Sequence, residues 1–312
     1  MNTRTSIEKK NIKVISLILI IAMLIALVTS CGAKSTKNSV VDTNIEKTVK
    51  FISNNVTNPT IASVGGEWSV KGLAESGIFE NSDYFDGYYD NVTEIVKNEK
   101  GILHENYYTE YARVIIGICA IGKNPCDVAG YDLTVFLDDY EIITNQGPNA
   151  ASYALAAANC AGVVLDNQDE YISYIIEEID NGAVRNDQYY CDYISMALLG
   201  LSFYTDREDI RVKIDEYIEL LADMQLDDGG FGSCESDAEA IVALCQNGID
   251  LTNDNRFIKK DKNLLDTLLD YSMDDGSFCH VTENKQTDFM ATEKALIAMD
   301  AIKLQQKGKK LY

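Results

Sequence analysis

Apolar residues recur at helical spacing along most of the chain after residue 43, in two alternating kinds of segment. The first kind is long and charged, and its apolar residues form a single stripe, as at Ile172, Ile175 and Ile179. This pattern is typical of an amphipathic helix that buries one face. It predicts outer helices over residues 45–54, 84–98, 133–143, 170–179, 210–224 and 263–272.

The second kind of segment is richer in small and apolar residues, as expected of helices that are covered on most sides. It predicts inner helices over residues 67–75, 109–121, 149–158, 192–203, 237–246 and 291–302. Their starts lie 40 to 54 residues apart, which is a period typical of a repeated supersecondary unit. Six outer helices that alternate with six inner ones predict an all-α fold, an α6/α6 toroid of six helical hairpins.

Residues 222–251 show one such helix pair most clearly. The first helix ends in a glycine-rich turn at Gly229 and Gly230, and the second ends at Gly248. We expect Ser236 and Asp237 to supply N-cap oxygens to the second helix, because short polar side chains accept hydrogen bonds from the free N–H groups of a first turn. The turn therefore sets one helix back against the other.

The turn has the pattern Gln-x-x-Asp-Gly-Gly-Phe-Gly over residues 225–232. It resembles the repeat of the squalene cyclase and protein prenyltransferase superfamily, whose helix pairs close into a double-ring toroid. The stretches 66–70, 108–114, 120–125 and 290–296 resemble a secreted bacterial branch of that superfamily, and the likeness covers residues 45–303. That branch is similar to the α-domain of the cobalamin carriers intrinsic factor and transcobalamin. The resemblance therefore implies a corrinoid-like small molecule, such as cobalamin, as a candidate ligand.

The N-terminal stretch is typical of a lipoprotein signal peptide. Four basic residues precede an apolar run over residues 14–28, which is too short to span a bilayer comfortably. Val28, Thr29 and Ser30 then lead to Cys31 as in a bacterial lipobox. We predict a signal peptide at residues 1–30, lipidation at Cys31, a tether at 31–43 and a toroid domain at 44–312. The mature protein would be anchored by lipid on the extracytoplasmic face of the cell membrane.

The charge of the chain narrows the choice of partner. The net charge is −22 over 312 residues, and removal of a segment of +3 at residues 1–30 leaves −25. Such a domain is repelled by nucleic acid, so we expect a neutral or cationic small molecule or another protein. The seven cysteines after Cys31 are scattered, so most are expected to be core thiols, with one or two disulfides left open.

The first turns of the inner helices are the candidate ligand site, because in a toroid they gather at one mouth with their positive dipole ends. Each acid there has a structural alternative as a helix cap, Trp68 could be a stacking surface or a plug, and Arg113 could simply pair with Glu110. The predicted lining residues are Glu67, Trp68, Glu110, Arg113, Asn149, Tyr190, Asp192, Glu235, Asp237, Thr292 and Glu293.

The sequence lacks the catalytic motifs of the enzymes in the superfamily. The Asp-x-Asp-Asp motif of class II terpene cyclases does not occur, and neither does the Asp-x-Cys of the prenyltransferase zinc site. No cofactor or metal is predicted. We therefore expect a non-catalytic ligand-binding protein. The alternative is a prenyltransferase-like or terpene-cyclase-like enzyme with displaced catalytic residues, and a glycan-active barrel comes third.

Overall fold

The computed structural model describes residues 39–312, and these residues are mostly helical, which confirms the all-α prediction. Helix α1 covers residues 39–55. Residues 39–43 are thus helical, whereas the sequence predicts that they belong to the tether. The predicted signal peptide, Cys31 and the rest of the tether lie outside the described residues. Residues 45–312 form one compact unit.

Eleven further helices follow in the described chain, close to the positions that the periodicity predicts. They are α2 (Trp68–Glu75), α3 (Ser82–Asn98), α4 (Thr109–Ala120), α5 (Tyr140–Thr144), α6 (Pro148–Ala161), α7 (Gln168–Asn181), α8 (Tyr190–Leu201), α9 (Glu208–Met224), α10 (Cys234–Gln246), α11 (Leu264–Asp270) and α12 (Phe289–Gln306). Two small antiparallel pairs join β1 (Ile258–Lys259) to β2 (Lys262–Asn263) and β3 (Phe278–Cys279) to β4 (Thr287–Asp288).

The even-numbered helices pack against one another in cyclic order. Helix α2 contacts α4, and the contacts continue through α6, α8 and α10 to α12, which contacts α2. These helices are buried on most sides: in α10, only Glu235 is not buried. Small residues allow the close approach, since the Cα of Gly200 in α8 faces the backbone of Ser152 in α6.

The odd-numbered helices pack against the even-numbered ones by a single apolar face. Helix α7 contacts both α6 and α8, α9 contacts α8, and α11 contacts α10. The stripe of Ile172, Ile175 and Ile179 on α7 is buried, as its spacing predicts. Each odd-numbered helix therefore buries its apolar face in the core, and its charged face is exposed to solvent.

The structure corrects two local predictions. The helix expected over 133–143 is a 3-10 turn at Thr134–Asp138 followed by α5, because Asp139 leaves the helical conformation and caps α5 by accepting from Ile142 N at 3.1 Å. The N-cap of α10 is Ser233, whose hydroxyl accepts from Ser236 N at 3.1 Å, and not Ser236 or Asp237. In both places a short polar side chain takes a capping role that the sequence pattern does not predict: Asp139 lies inside the expected helix, and Ser233 lies upstream of the expected caps.

The cysteines fit the expectation of core thiols. All seven in the described residues are free, and Cys191, Cys234, Cys245 and Cys279 are buried. A buried thiol behaves as a small hydrophobic group, so these residues serve packing.

Candidate functional site

The N-terminal ends of the even-numbered helices converge on a cavity of about 360 Å³, here called the N-terminal cavity. All six helices contribute to its wall, and this volume lies in the range of small-molecule sites. Its lining residues are Ser63, Trp68, Thr109, Arg113, Asn149, Tyr153, Asp192, Met196, Glu235, Glu239, Met290 and Lys294.

The lining has two layers that follow from helix geometry. Five helices each contribute a first-turn residue and the residue four positions later, which lies on the same face one turn deeper. The pairs are Thr109 and Arg113, Asn149 and Tyr153, Asp192 and Met196, Glu235 and Glu239, and Met290 and Lys294. Of the deeper layer, only Arg113 is among the site residues that the sequence predicts. The signal for the other four is their position in the sequence, four residues after a first-turn residue that also lines the cavity.

Lys294 is the centre of the deeper layer. Its Nζ lies 2.5 Å from Glu239 Oε1 and 4.3 Å from the centre of the Trp68 ring. The Tyr153 hydroxyl donates to the same carboxylate at 3.2 Å, and the Trp68 and Tyr153 rings lie 5.7 Å apart. Burial alone would lower the pKa of Lys294, but Glu239 and its other neighbours outweigh burial, so the net pKa is raised. Lys294 is thus a fixed cation, and Trp68, only 5% exposed, is part of the wall.

Arg113, the other cation of the lining, is held by two acids. Its Nε lies 3.4 Å from Oε2 of the fully buried Glu67, and its Nη2 lies 3.7 Å from Glu110 Oε2. Burial raises the pKa of Glu67 to about 7, although Arg113 lowers it. The expected local pair with Glu110 is present, but Glu67 is a second partner 46 residues away. Neither acid lines the cavity.

Two other acids face the cavity with fewer cationic partners. Asp192 has its pKa raised by burial and by Glu239, while a hydrogen bond from Ser236 lowers it. Glu235 Oε2 lies 2.7 Å from Nδ1 of His280, which is mostly exposed. Both carboxylates belong to first turns and line the cavity, so they can meet a ligand that carries hydrogen-bond donors or a positive charge.

Three predicted site residues lie away from the cavity and have structural partners. The Tyr190 hydroxyl donates to Ile179 O at 2.7 Å. Asp237 accepts from Phe231 N at 2.6 Å, so it holds the glycine-rich turn. Glu293 accepts from the Ser69 hydroxyl and from Gly65 N, so it connects α12 to α2 and to the segment before α2.

Thr292, the remaining predicted residue, also serves the local structure. Its hydroxyl accepts from Phe278 N at 2.9 Å and donates to Asp288 O at 2.6 Å. These contacts connect α12 to the β3–β4 pair. A position in a first turn therefore does not by itself bring a side chain into the cavity.

The described residues contain no group of three or more His, Cys, Asp or Glu side chains that could hold a metal ion. No helix among residues 39–312 is both long and apolar enough to span a membrane. Comparisons with protein-family models, with curated proteins and with solved structures find no match to this chain. The residues of the cavity are therefore the basis for any functional assignment.

Proposed function

We propose that this chain is a non-catalytic, ligand-binding α6/α6 toroid, anchored by lipid at Cys31 on the extracytoplasmic face of the membrane. The cyclic order of contacts among the six even-numbered helices supports a closed inner ring. The odd-numbered helices, each packed by one face, fit an outer ring. The lipobox-like sequence before Cys31 supports the anchor.

The observation that carries the binding function is the N-terminal cavity itself. Three carboxylates and two cations line it, and both cations already have carboxylate partners in the protein. Asp192 and Glu235 are then the groups with acceptor capacity for a ligand. These residues fit a small ring compound that donates several hydrogen bonds and is either cationic or polyhydroxylated. The Trp68 side chain would supply the apolar part of the cavity wall.

The volume of the N-terminal cavity limits how a corrinoid could bind. About 360 Å³ lies near the lower end of the range for drug-sized ligands, and a corrinoid ring with its side chains is larger. A corrinoid would therefore sit over the entrance, with only part of the molecule inside. A ligand the size of one or two sugar rings fits within the wall.

The enzymatic alternative has one specific observation in its favour. Glu67 and Glu293 have pKa values raised to about 7 by burial, as a general acid at neutral pH requires. However, both carboxyl groups lie behind the cavity wall and are hydrogen-bonded to the protein. A substrate in the N-terminal cavity would not reach them, so we favour binding without turnover.

Trp68 is the only tryptophan in the chain, so its fluorescence tests the proposal directly. The fragment from Gly32 would be titrated with cobalamin, mono- and disaccharides, polyamines and prenyl diphosphates. We expect a saturable change with one class of hydrogen-bond donor, and at least a tenfold weaker affinity in Glu235→Ala. The control is Glu216→Ala, on the exposed face of α9.

Two results would contradict the proposal. One is a titration in which no class of compound changes the fluorescence or the melting temperature. The other is turnover of a prenyl diphosphate or an oligosaccharide that is lost in Glu239→Gln. The second result would establish the enzymatic alternative.

A further inference from the structure

A second cavity, of about 530 Å³, lies where helices α10 and α12 end, and we call it the C-terminal cavity. Its wall comes from three parts of the chain: the region of the first half of α9, the end of α10 with the residues that follow it, and the end of α12 with the residues that follow it. The volume lies in the range of small-molecule sites. No residue lines both cavities, so this is a separate candidate site.

The C-terminal cavity lies beside a part of α10 that α11 does not cover. Helix α11 has 7 residues and is about 10 Å long, whereas α10 has 13 residues and is about 20 Å long. Thr267 of α11 packs near the start of α10, because a Cβ at Gly230, in the turn before α10, would lie 2.8 Å from its Cγ2. No residue of α11 lines the C-terminal cavity. The end of α10 is therefore left to border a cavity.

Two helix caps fix the backbone of the wall. After α12, Gly308 has a φ of +69°, and Lys309 N donates to the carbonyl oxygen five residues earlier at 2.9 Å. After α10, Gly248 has a φ of +81°, and Ile249 N donates to the carbonyl oxygen five residues earlier at 2.9 Å. Both are Schellman caps, which need glycine at this position. The Gln305 side chain donates to Ile249 O at 2.6 Å and so connects the two helix ends.

Residues 309 and 310 are also held from the side that follows them in the chain. Leu311 is buried, and its carbonyl oxygen accepts from Lys71 Nζ at 3.0 Å. The backbone of Lys309 and Lys310 therefore runs between a helix cap and a buried anchor, and both residues line the cavity. A backbone that is already fixed lowers the entropy cost of binding a ligand.

The lining of the C-terminal cavity is cationic, although the chain as a whole is acidic. It has the cations Arg211, Lys309 and Lys310 and one carboxylate, Asp215, a net of +2, whereas the chain carries −22. In the described part of the chain, neither lysine forms an ion pair. Arg211 pairs with Glu208, but both side chains are exposed, so this pair contributes little. The N-terminal cavity has the opposite balance, with three carboxylates and two cations.

We propose that the C-terminal cavity binds a small organic anion, a carboxylate or phosphate that carries an apolar chain or ring. The anionic group lies at Lys309 and Lys310, where two unpaired ammonium groups meet the cavity. The apolar part packs against Ile214, Ile218 and Ile249, which line the same cavity. A free acid and an anionic lipid share this chemistry. The proposal goes beyond the binding proposed for the N-terminal cavity and does not depend on it.

Isothermal titration calorimetry of the full chain in a mild non-ionic detergent tests the proposal. The probes are naphthoate, naphthyl phosphate and the neutral naphthylmethanol, which share one ring system. We expect at least one anion to bind at a single site, at least fivefold more tightly than the neutral probe, and more weakly as salt is raised. Lys309→Gln combined with Lys310→Gln should weaken this binding at least fivefold. The control is Lys97→Gln with Lys100→Gln, which changes the net charge equally at two exposed lysines that line neither cavity.

Three results would overturn the proposal. They are a wild type that binds neither anion more tightly than the neutral probe, a double variant at 309 and 310 that binds the anion as wild type does, and an equal loss of affinity in the control. The second result is expected if the two lysines only compensate the partial negative charge at the end of α12, in which case the variant melts at a lower temperature and its affinity is unchanged.

Displacement of the bound probe tells the two sources of such an anion apart. Displacement by octanoate supports a free acid, and displacement by phosphatidylglycerol alone, in the same detergent, supports a lipid. Failure at this site would leave the fluorescence titration of the N-terminal cavity unaffected, because Trp68 lines only that cavity.

Discussion

At the scale of single residues, Asp300 on α12 is the clearest case of a buried group that lacks a partner. It is 1% exposed, and neither carboxylate oxygen has a hydrogen-bond partner among residues 39–312. Burial raises its pKa well above the usual range, and Glu75 raises it further, whereas Lys71 and Lys303 lower it. Burial therefore favours the protonated form of this carboxyl group in the folded state.

We predict that Asp300→Asn stabilises the fold at pH 8 by about 1–3 kcal/mol. The pKa of Asp300 is higher in the folded than in the unfolded protein. The contribution of Asp300 to the free energy of unfolding is therefore fully present below the pKa of the unfolded state, and it is lost as the pH rises toward the pKa of the folded state. The amide of asparagine is neutral at every pH, so the increase in the free energy of unfolding should be larger at pH 8 than at pH 5. Urea unfolding at both pH values measures it, with the exposed Asp223→Asn as control. A loss of stability in Asp300→Asn at pH 8 would contradict the assignment.

At the scale of elements, glycine sets the distance between α6 and α8. A Cβ at Gly200 would lie 2.9 Å from the Cα of Ser152 and 3.2 Å from its carbonyl oxygen. Backbone atoms cannot rotate away, so the two helices would have to move apart. On helix α3, by contrast, a Cβ at Gly87 would meet nothing within 4 Å.

These two glycines form a matched pair for a packing test. We predict that Gly200→Ala lowers the free energy of unfolding by about 1–3 kcal/mol, because overpacking outweighs the better helix propensity of alanine. Gly87→Ala should raise it by about 0.5–1 kcal/mol through propensity alone. Urea unfolding followed by circular dichroism measures both. Stabilisation by both substitutions would show that the contact of α6 with α8 is not tight at this point.

The helix bounds follow closely from the sequence, since an apolar stripe with a period of 3.6 needs no tertiary information. The exceptions are places where a polar side chain accepts a hydrogen bond from a backbone N–H group and so sets where a helix begins. Asp139 interrupts a stripe that reads as one helix, and Ser233 caps α10 three residues earlier than expected. Several short polar residues stand near each start, and only the local backbone geometry selects among them.

At the scale of the whole molecule, the site depends on contacts between distant segments, and this limits what the sequence can predict. Asp237 and Glu239 stand two residues apart on α10, yet the first holds a turn and the second binds Lys294 of α12. Helix geometry alone does not say which of the two faces the cavity.

The buried carboxyl groups of Glu67 and Glu293 predict how the stability of the fold depends on pH. Burial raises the pKa of Glu67 and of Glu293 to about 7, from an ordinary value of 4.5. Between these values the folded chain keeps both protons and the unfolded chain releases them, so stability falls as pH rises from 4.5 to 7. The loss is at most about 3 kcal/mol for each group. In the opposite direction, the pKa of Asp254 is lowered by Arg256, and the stability it contributes is lost in stronger acid.

We therefore expect the melting temperature to be highest near pH 5 and to be at least about 5 °C lower at pH 7.5, since 1 kcal/mol corresponds to roughly 2–4 °C in a domain of this size. Scanning calorimetry at intervals of half a pH unit measures the profile. Glu293→Gln keeps one acceptor oxygen for Ser69 and Gly65 but cannot ionise, so it should flatten the decline, and the exposed Glu216→Gln should leave it unchanged. A melting temperature that is equal or higher at pH 7.5 would mean that both carboxyl groups ionise in the folded protein, with Arg113 stabilising Glu67 more than burial destabilises it.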